Sequence, residues 1–144
     1  MNEEKEINVL DELNKGACMG MDAIHFILEK VKEDGLKKEL ETQYEKYKSI
    51  HDKICDLYPE YSEEEPHDTG VLNKVRTWYG IEMKTLVDDT TSKLAELLMQ
   101  GTNMGIIEGR RLLNHKHTDE KVNDLVQEYV DMQEHAVEKL KQFL

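Results

Sequence analysis

The chain has 144 residues, the size of one domain, and its 31 acidic against 19 basic side chains leave a formal net charge of −12. Such a surface repels nucleic-acid backbones and anionic lipid headgroups, so neither is expected as a partner. Only two prolines interrupt a composition rich in Leu, Glu and Lys, and aromatics make up just 6% of it, which predicts an all-α protein, a single domain over 1–144.

No apolar run approaches the ~18 residues of a membrane span, and the first residues, MNEEKEINVL, are acidic, unlike a secretory leader. A cytoplasmic protein is expected. Cys18 and Cys55 are too few for a disulfide framework and fall inside helical patterns, where they read as small apolar fillers without basic neighbours to make them reactive.

The first helix is predicted over about Glu4 to Glu33, because Leu10, Leu13, Ala17, Gly20, Ile24, Ile27 and Val31 recur at steps of three and four. Ala17 and Gly20 make the middle of that face small, a close-packing point against a neighbour. Asp34-Gly35 ends the helix with a left-handed cap. A second helix, about Leu36 to Tyr58, follows at once with Leu36, Leu40, Tyr44, Tyr47, Ile50, His51, Ile54 and Tyr58 on its apolar face. So short a connection makes the two antiparallel neighbours.

Pro59 and the acidic stretch YSEEEPHDTG form a solvated loop over 61–70. VLNKVRTWYGIEMKTLV carries Val71, Val75, Trp78, Tyr79 and Leu86 at helical spacing and reads as a short extra helix within a long crossover. The cluster Asp88 to Ser92 supplies N-cap residues for a third main helix, about Ser92 to His115, on which Leu94, Leu97, Leu98, Gly101, Met104, Gly105 and Leu112 line one face and Glu108 falls among them. After NHKHT, whose His115 and His117 suit a helix C-terminus, a last helix runs from about Asp119 to Phe143 with Val122, Leu125, Tyr129, Met132, Ala136 and Phe143 inward.

Met104-Gly105 repeats Met19-Gly20, and each pair is followed by an apolar doublet, Leu112-Leu113 or Ile27-Leu28, which indicates a helical hairpin present twice. Four long helices with one long connection between the second and third give a ferritin-like antiparallel four-helix bundle.

Through ACMGMDAIHFIL, GTNMGIIEGRRLL and DMQEHAVEKLKQFL the chain resembles the ferritin-like superfamily, in particular small bacterial rubrerythrin-related domains. The resemblance implies a two-metal centre in which each hairpin gives one Glu from its first helix and Glu-x-x-His from its second. At the matching positions this chain has Ala17, Thr102, Lys48 with His51, and Met132 with His135, so all four carboxylates are replaced. Two neutral imidazoles do not offset the charge of two iron ions, and no cofactor is expected.

The leading expectation is therefore a non-enzymatic bundle that has lost its di-iron site and acts as a binding or oligomerisation module, in a stress-related setting if the resemblance holds, with homo-oligomer contacts through helix faces. The alternative is a metal-binding or oxidoreductase protein holding iron, manganese or zinc through Glu108, His51 and His135, with His25 at the margin. In the first reading Glu108 pairs with Lys48 instead, an ion pair in place of the metal charge. A third reading is a small-molecule sensor with a cavity beside Gly20 and Gly105.

Overall fold

A computed structural model describes residues 2–66, 82, 86 and 88–144, and in them the chain forms four long helices: α1 (Asn2–Leu28), α2 (Asp34–Leu57), α3 (Thr91–His115) and α4 (Glu120–Lys141). One 3-10 turn, Tyr58–Glu60, closes α2, and no strand occurs among the described residues. The expected extra helix over 71–86 lies almost wholly outside them. None of the helices is long and apolar enough to cross a membrane.

The helices share one core. Leu10, Leu13, Ile24 and Ile27 of α1 meet Leu36, Leu40, Ile50 and Ile54 of α2, Leu94 and Leu97 of α3, and Val122, Val130 and Leu140 of α4. Each such aliphatic side chain, fully buried, stabilises the fold by roughly 1.5–3 kcal/mol before the entropy of ordering it is subtracted.

Contacts fix the directions. Asp11 meets Tyr58, Asn14 meets His51 and Gly20 meets Tyr47, so α1 and α2 are antiparallel. Gly105 against Gln133 and Gly109 against Val130 make α3 and α4 antiparallel. Tyr47 with Gln133, Lys53 with Glu128 and Glu60 with Lys121 do the same for α2 and α4. On the diagonal, Glu6 with Asp119 and Gly16 with Tyr129 set α1 parallel to α4. Helices α2 and α3 are therefore parallel to each other. Consistently, Glu60 bonds Lys121 at the start of α4, while Asp89 lies 3.8 Å from Lys32 at the opposite end of the first hairpin. The chain between 60 and 89 joins opposite ends of the assembly.

Two boundaries differ from the sequence reading, and one residue explains both. Glu33 is extended (φ −84°, ψ 123°) and its carboxylate accepts the backbone N–H groups of Gly35 at 2.8 Å and Leu36 at 3.0 Å. It thereby caps α2 rather than ending α1. Gly35 belongs to the first turn of α2 and does not end α1 with a left-handed cap. Within the expected Asp88–Ser92 cluster, Thr90 is the cap of α3, accepting from the Lys93 N–H at 3.3 Å.

The start of α4 is capped from outside. Asp119 makes no side-chain cap, and the carboxylate of Glu6, only 2% exposed, accepts the Asp119 N–H at 3.0 Å. A carboxylate there also meets the positive end of the helix dipole. The Asp119 side chain is committed elsewhere, to the hydroxyl of Tyr61, whose pKa burial and that bond push up to about 12.

Gly20 is required by close approach, since a Cβ there would overlap the Tyr47 ring. Gly20→Ala should cost about 1–3 kcal/mol by overpacking, read as a lower urea midpoint with unchanged slope; an unchanged midpoint would mean that the ring has room to move.

Candidate functional site

At mid-height, where the resemblance places the metals, α1 and α3 contribute small residues and α2 and α4 fill the space. Ala17 is fully buried and Thr102 is 8% exposed. Between them stand Tyr47 from α2 and Gln133 and Tyr129 from α4, all buried. The Gln133 amide donates to the Tyr47 hydroxyl at 3.2 Å, and the Thr102 hydroxyl donates to the Leu98 carbonyl at 2.7 Å. The two tyrosine rings meet edge to face, centroids 6.4 Å apart and planes at 64°. The Gln133 amide lies so close over Gly105 that a Cβ there would overlap it. The space beside Gly20 and Gly105, in which the sensor reading needed a cavity, is thus occupied by the Tyr47 ring and this amide.

The centre is neutral. Burial raises the pKa of Tyr47 above the ordinary 10.0, and its side-chain hydrogen bonds with Gln133 and Thr102 offset only part of it. Burial also raises that of Tyr129, with Tyr47 adding to the effect. Of the described acidic residues only Glu6 is fully buried, and it is at the end of the assembly; Asp22 is half-buried, with one carboxylate oxygen out of solvent. One polar atom of the cluster, Gln133 Oε1, is buried without a hydrogen-bond partner, a cost of about 1–3 kcal/mol that the fold tolerates.

The other residues singled out in the sequence are dispersed. Glu108, expected on the inward stripe and paired with Lys48, has a side chain 67% exposed and bonds Arg111 at 2.8 Å. The inward line of α3 runs through Leu94, Leu98, Thr102 and Gly109, and Glu108 is one residue, about 100°, away from it. Lys48 is exposed, so no internal ion pair forms. His25 and His135 are exposed, and Met132 is half-buried beside His135 in an open groove between α2 and α4. On both helices the inward positions are neighbours of the expected ones, Tyr47 next to Lys48 and Gln133 next to Met132.

His51 is half-buried, and its ring is used at both nitrogens. Nδ1–H donates to Asn14 Oδ1 at 2.6 Å, and Nε2 faces the Cys55 sulfur at 3.6 Å. Cys55 is exposed, not an apolar filler, and His51 is the basic neighbour that the sequence reading denied it. Glu108, His51, His135 and His25 do not converge, and no group of three or more His, Cys, Asp or Glu among the described residues is placed to hold a metal ion. A di-iron centre does not fit this donor set: Ala17, Thr102, Tyr47 and Gln133 offer no carboxylate, and burial favours the protonated phenol of Tyr47 over the phenolate that could ligate iron. No family model, curated protein or solved structure matches the chain.

Asn14 and Gln133, both buried, were absent from the sequence reading. Asn14 follows Leu10 by four and precedes Ala17 by three, and Gln133 follows Tyr129 by four, so helical spacing alone assigns them inward.

Two outcomes follow from this cluster. Tyr47→Phe should destabilise by about 1–3 kcal/mol, because it strands the Gln133 amide, while adding Gln133→Leu should recover part of the loss; strict additivity in the double-mutant cycle would mean that the two groups are not coupled. Tyr47 and Tyr129 keep their protons in the folded chain at pH values where the unfolded chain releases them, above about pH 10. Their contribution is therefore full below that pH and is lost progressively as pH rises from there toward the raised folded-state values. The urea midpoint should fall on the alkaline side, and less steeply in Tyr129→Phe.

Proposed function

We propose that this protein is a ferritin-like four-helix bundle that works without a metal centre, as a non-enzymatic binding or oligomerisation module. The observation that carries the reading is the neutral cluster of Tyr47, Gln133 and Thr102 at the middle of the core, where a two-metal site requires carboxylates. The helix directions support the bundle type: each neighbouring pair is antiparallel, α1 and α4 are parallel on the diagonal, and the long connection joins α2 to α3. With its centre filled, such a protein acts through its outside. Met104 and Ile107, 45% and 50% exposed on α3, are the large apolar side chains left on its outer face.

The test is metal content by inductively coupled plasma mass spectrometry on untagged protein purified without chelator after growth with added iron. Metal far below one per chain, and a melting temperature unmoved by ferrous iron or by chelator, is the expected result. One or two metal ions per chain, lost in His51→Ala or His135→Ala, would sink the proposal and make redox assays the next step.

A further inference from the structure

Asn14, His51 and Cys55 form an ordered line from the interior to the surface. Asn14 is buried, His51 is half-buried and Cys55 is exposed. The oxygen of Asn14 can only accept, so the His51 nitrogen facing it at 2.6 Å carries the proton. In the neutral ring that leaves the Nε2 lone pair directed at the Cys55 sulfur, 3.6 Å away. A nucleophile, a base in reach of it, and a third group that fixes the base's tautomer together make the arrangement by which proteins activate a thiol. His51 and Cys55 sit one turn apart on α2, and Asn14 comes from α1, so the folded hairpin assembles the set.

We propose that Cys55 is a modification site that forms mixed disulfides with small cationic disulfides, with His51 as the base that takes its proton and Asn14 as the residue that positions His51. In the step, the Cys55 sulfur attacks one sulfur of R–S–S–R, a Cys55–S–S–R bond forms and the original S–S bond breaks. The Cys55 sulfur is oxidised to the disulfide level, the departing sulfur is reduced to a thiolate, and the Cys55 proton passes through His51 Nε2 to that thiolate, giving RSH.

The carboxylates around the thiol decide both the need for a base and the choice of partner. Partial burial and the charges of Asp52, Asp56 and Glu65 raise the Cys55 pKa, so a thiolate is not preformed and proton removal has to accompany attack. The same charges repel an anionic disulfide and attract one bearing amines. Cys18, half-buried on α1, provides a second thiol in the same molecule for comparison.

The test follows mixed-disulfide formation by intact-mass spectrometry on the full chain with cystamine, hydroxyethyl disulfide and oxidised glutathione at matched concentrations. Cys55 should react fastest with cystamine and slowest with oxidised glutathione, and Cys55→Ser should abolish the fast adduct. His51→Gln keeps an amide to face Asn14 but removes the base, and it should slow the reaction on the order of tenfold, less than the ~10²-fold or more of a general base in an enclosed site because solvent also takes the proton of an exposed thiol. Asp52→Asn with Asp56→Asn should narrow the preference for cystamine while leaving the neutral disulfide reacting at least as fast. Circular dichroism and urea midpoints of the variants separate lost reactivity from lost fold. A rate unchanged in folded His51→Gln, or no preference among the three disulfides, would overturn the proposal.

Discussion

The structure depends on satisfying polar groups at the centre of four helices without placing charge there. A carboxylate in that environment would need a metal, a proton or an ion-pair partner, because the low dielectric leaves a bare charge several kcal/mol out of balance. The chain places a phenol, an amide and a hydroxyl there instead. The Gln133 to Tyr47 hydrogen bond spans α2 and α4, so it joins the two hairpins at the point where each alone would have an exposed polar side chain. The glycines belong to the same constraint: Gly20 admits the Tyr47 ring and Gly105 admits the Gln133 amide, so the small residues of α1 and α3 are the moulds for the large polar residues of α2 and α4.

Charge is kept to the periphery, where it does different work. The interhelical pairs Lys53 with Glu128, Arg110 with Glu134 and Lys121 with Glu60 are half-exposed to exposed, and each contributes at most about 1 kcal/mol in water. The end of the assembly is tied more firmly by groups out of solvent. Glu6 caps α4 across the diagonal and Tyr58 donates to Asp11 at 2.9 Å, with a solvent-exposed bond from Lys5 to the His117 carbonyl, 3.1 Å, beside them. These bonds fix where α1 begins relative to the turn between α3 and α4, and so set the axial position at which Gly20 meets Tyr47.

Long apolar periodicities made the four helices legible, because each repeats its inward face over several turns. Their finer phase was not legible, for a geometric reason. On α3 the apolar residues Leu97, Met104 and Leu112 suggest one stripe, yet of these only Leu97 is fully buried, and past it burial follows Leu98, Thr102 and Gly109, so Met104 and Glu108 swing outward. On α2 the apolar pattern places Tyr47 inward, as the structure has it, and only the position carried over from the resemblance, Lys48, lies about 100° away; on α4 Gln133 is inward where Met132 was expected. Ala17 and Thr102 tolerate no such ambiguity, since they are small and sit beside Gly16 and Gly20 or between Leu98 and Gly105. Glu33 was misjudged for another reason: a residue at the junction of two helices has no periodic neighbours to place it, and only its hydrogen bonds assign it to α2.

The same geometry links the silent centre to the reactive surface. Tyr47, His51 and Cys55 are spaced by four on α2, and each step of four residues advances about 40° around a helix of 3.6 residues per turn. Two steps carry the line from a fully buried phenol, through a half-buried imidazole, to an exposed thiol. Along the way α1 offers a different partner at each level, Gly20 to the ring and Asn14 to the imidazole. The imidazole is therefore held by the packing of the hairpin, and its Nε2 faces the Cys55 sulfur one turn further along the helix. His51, which the resemblance implies as a former metal ligand, faces Asn14 and Cys55 in this register.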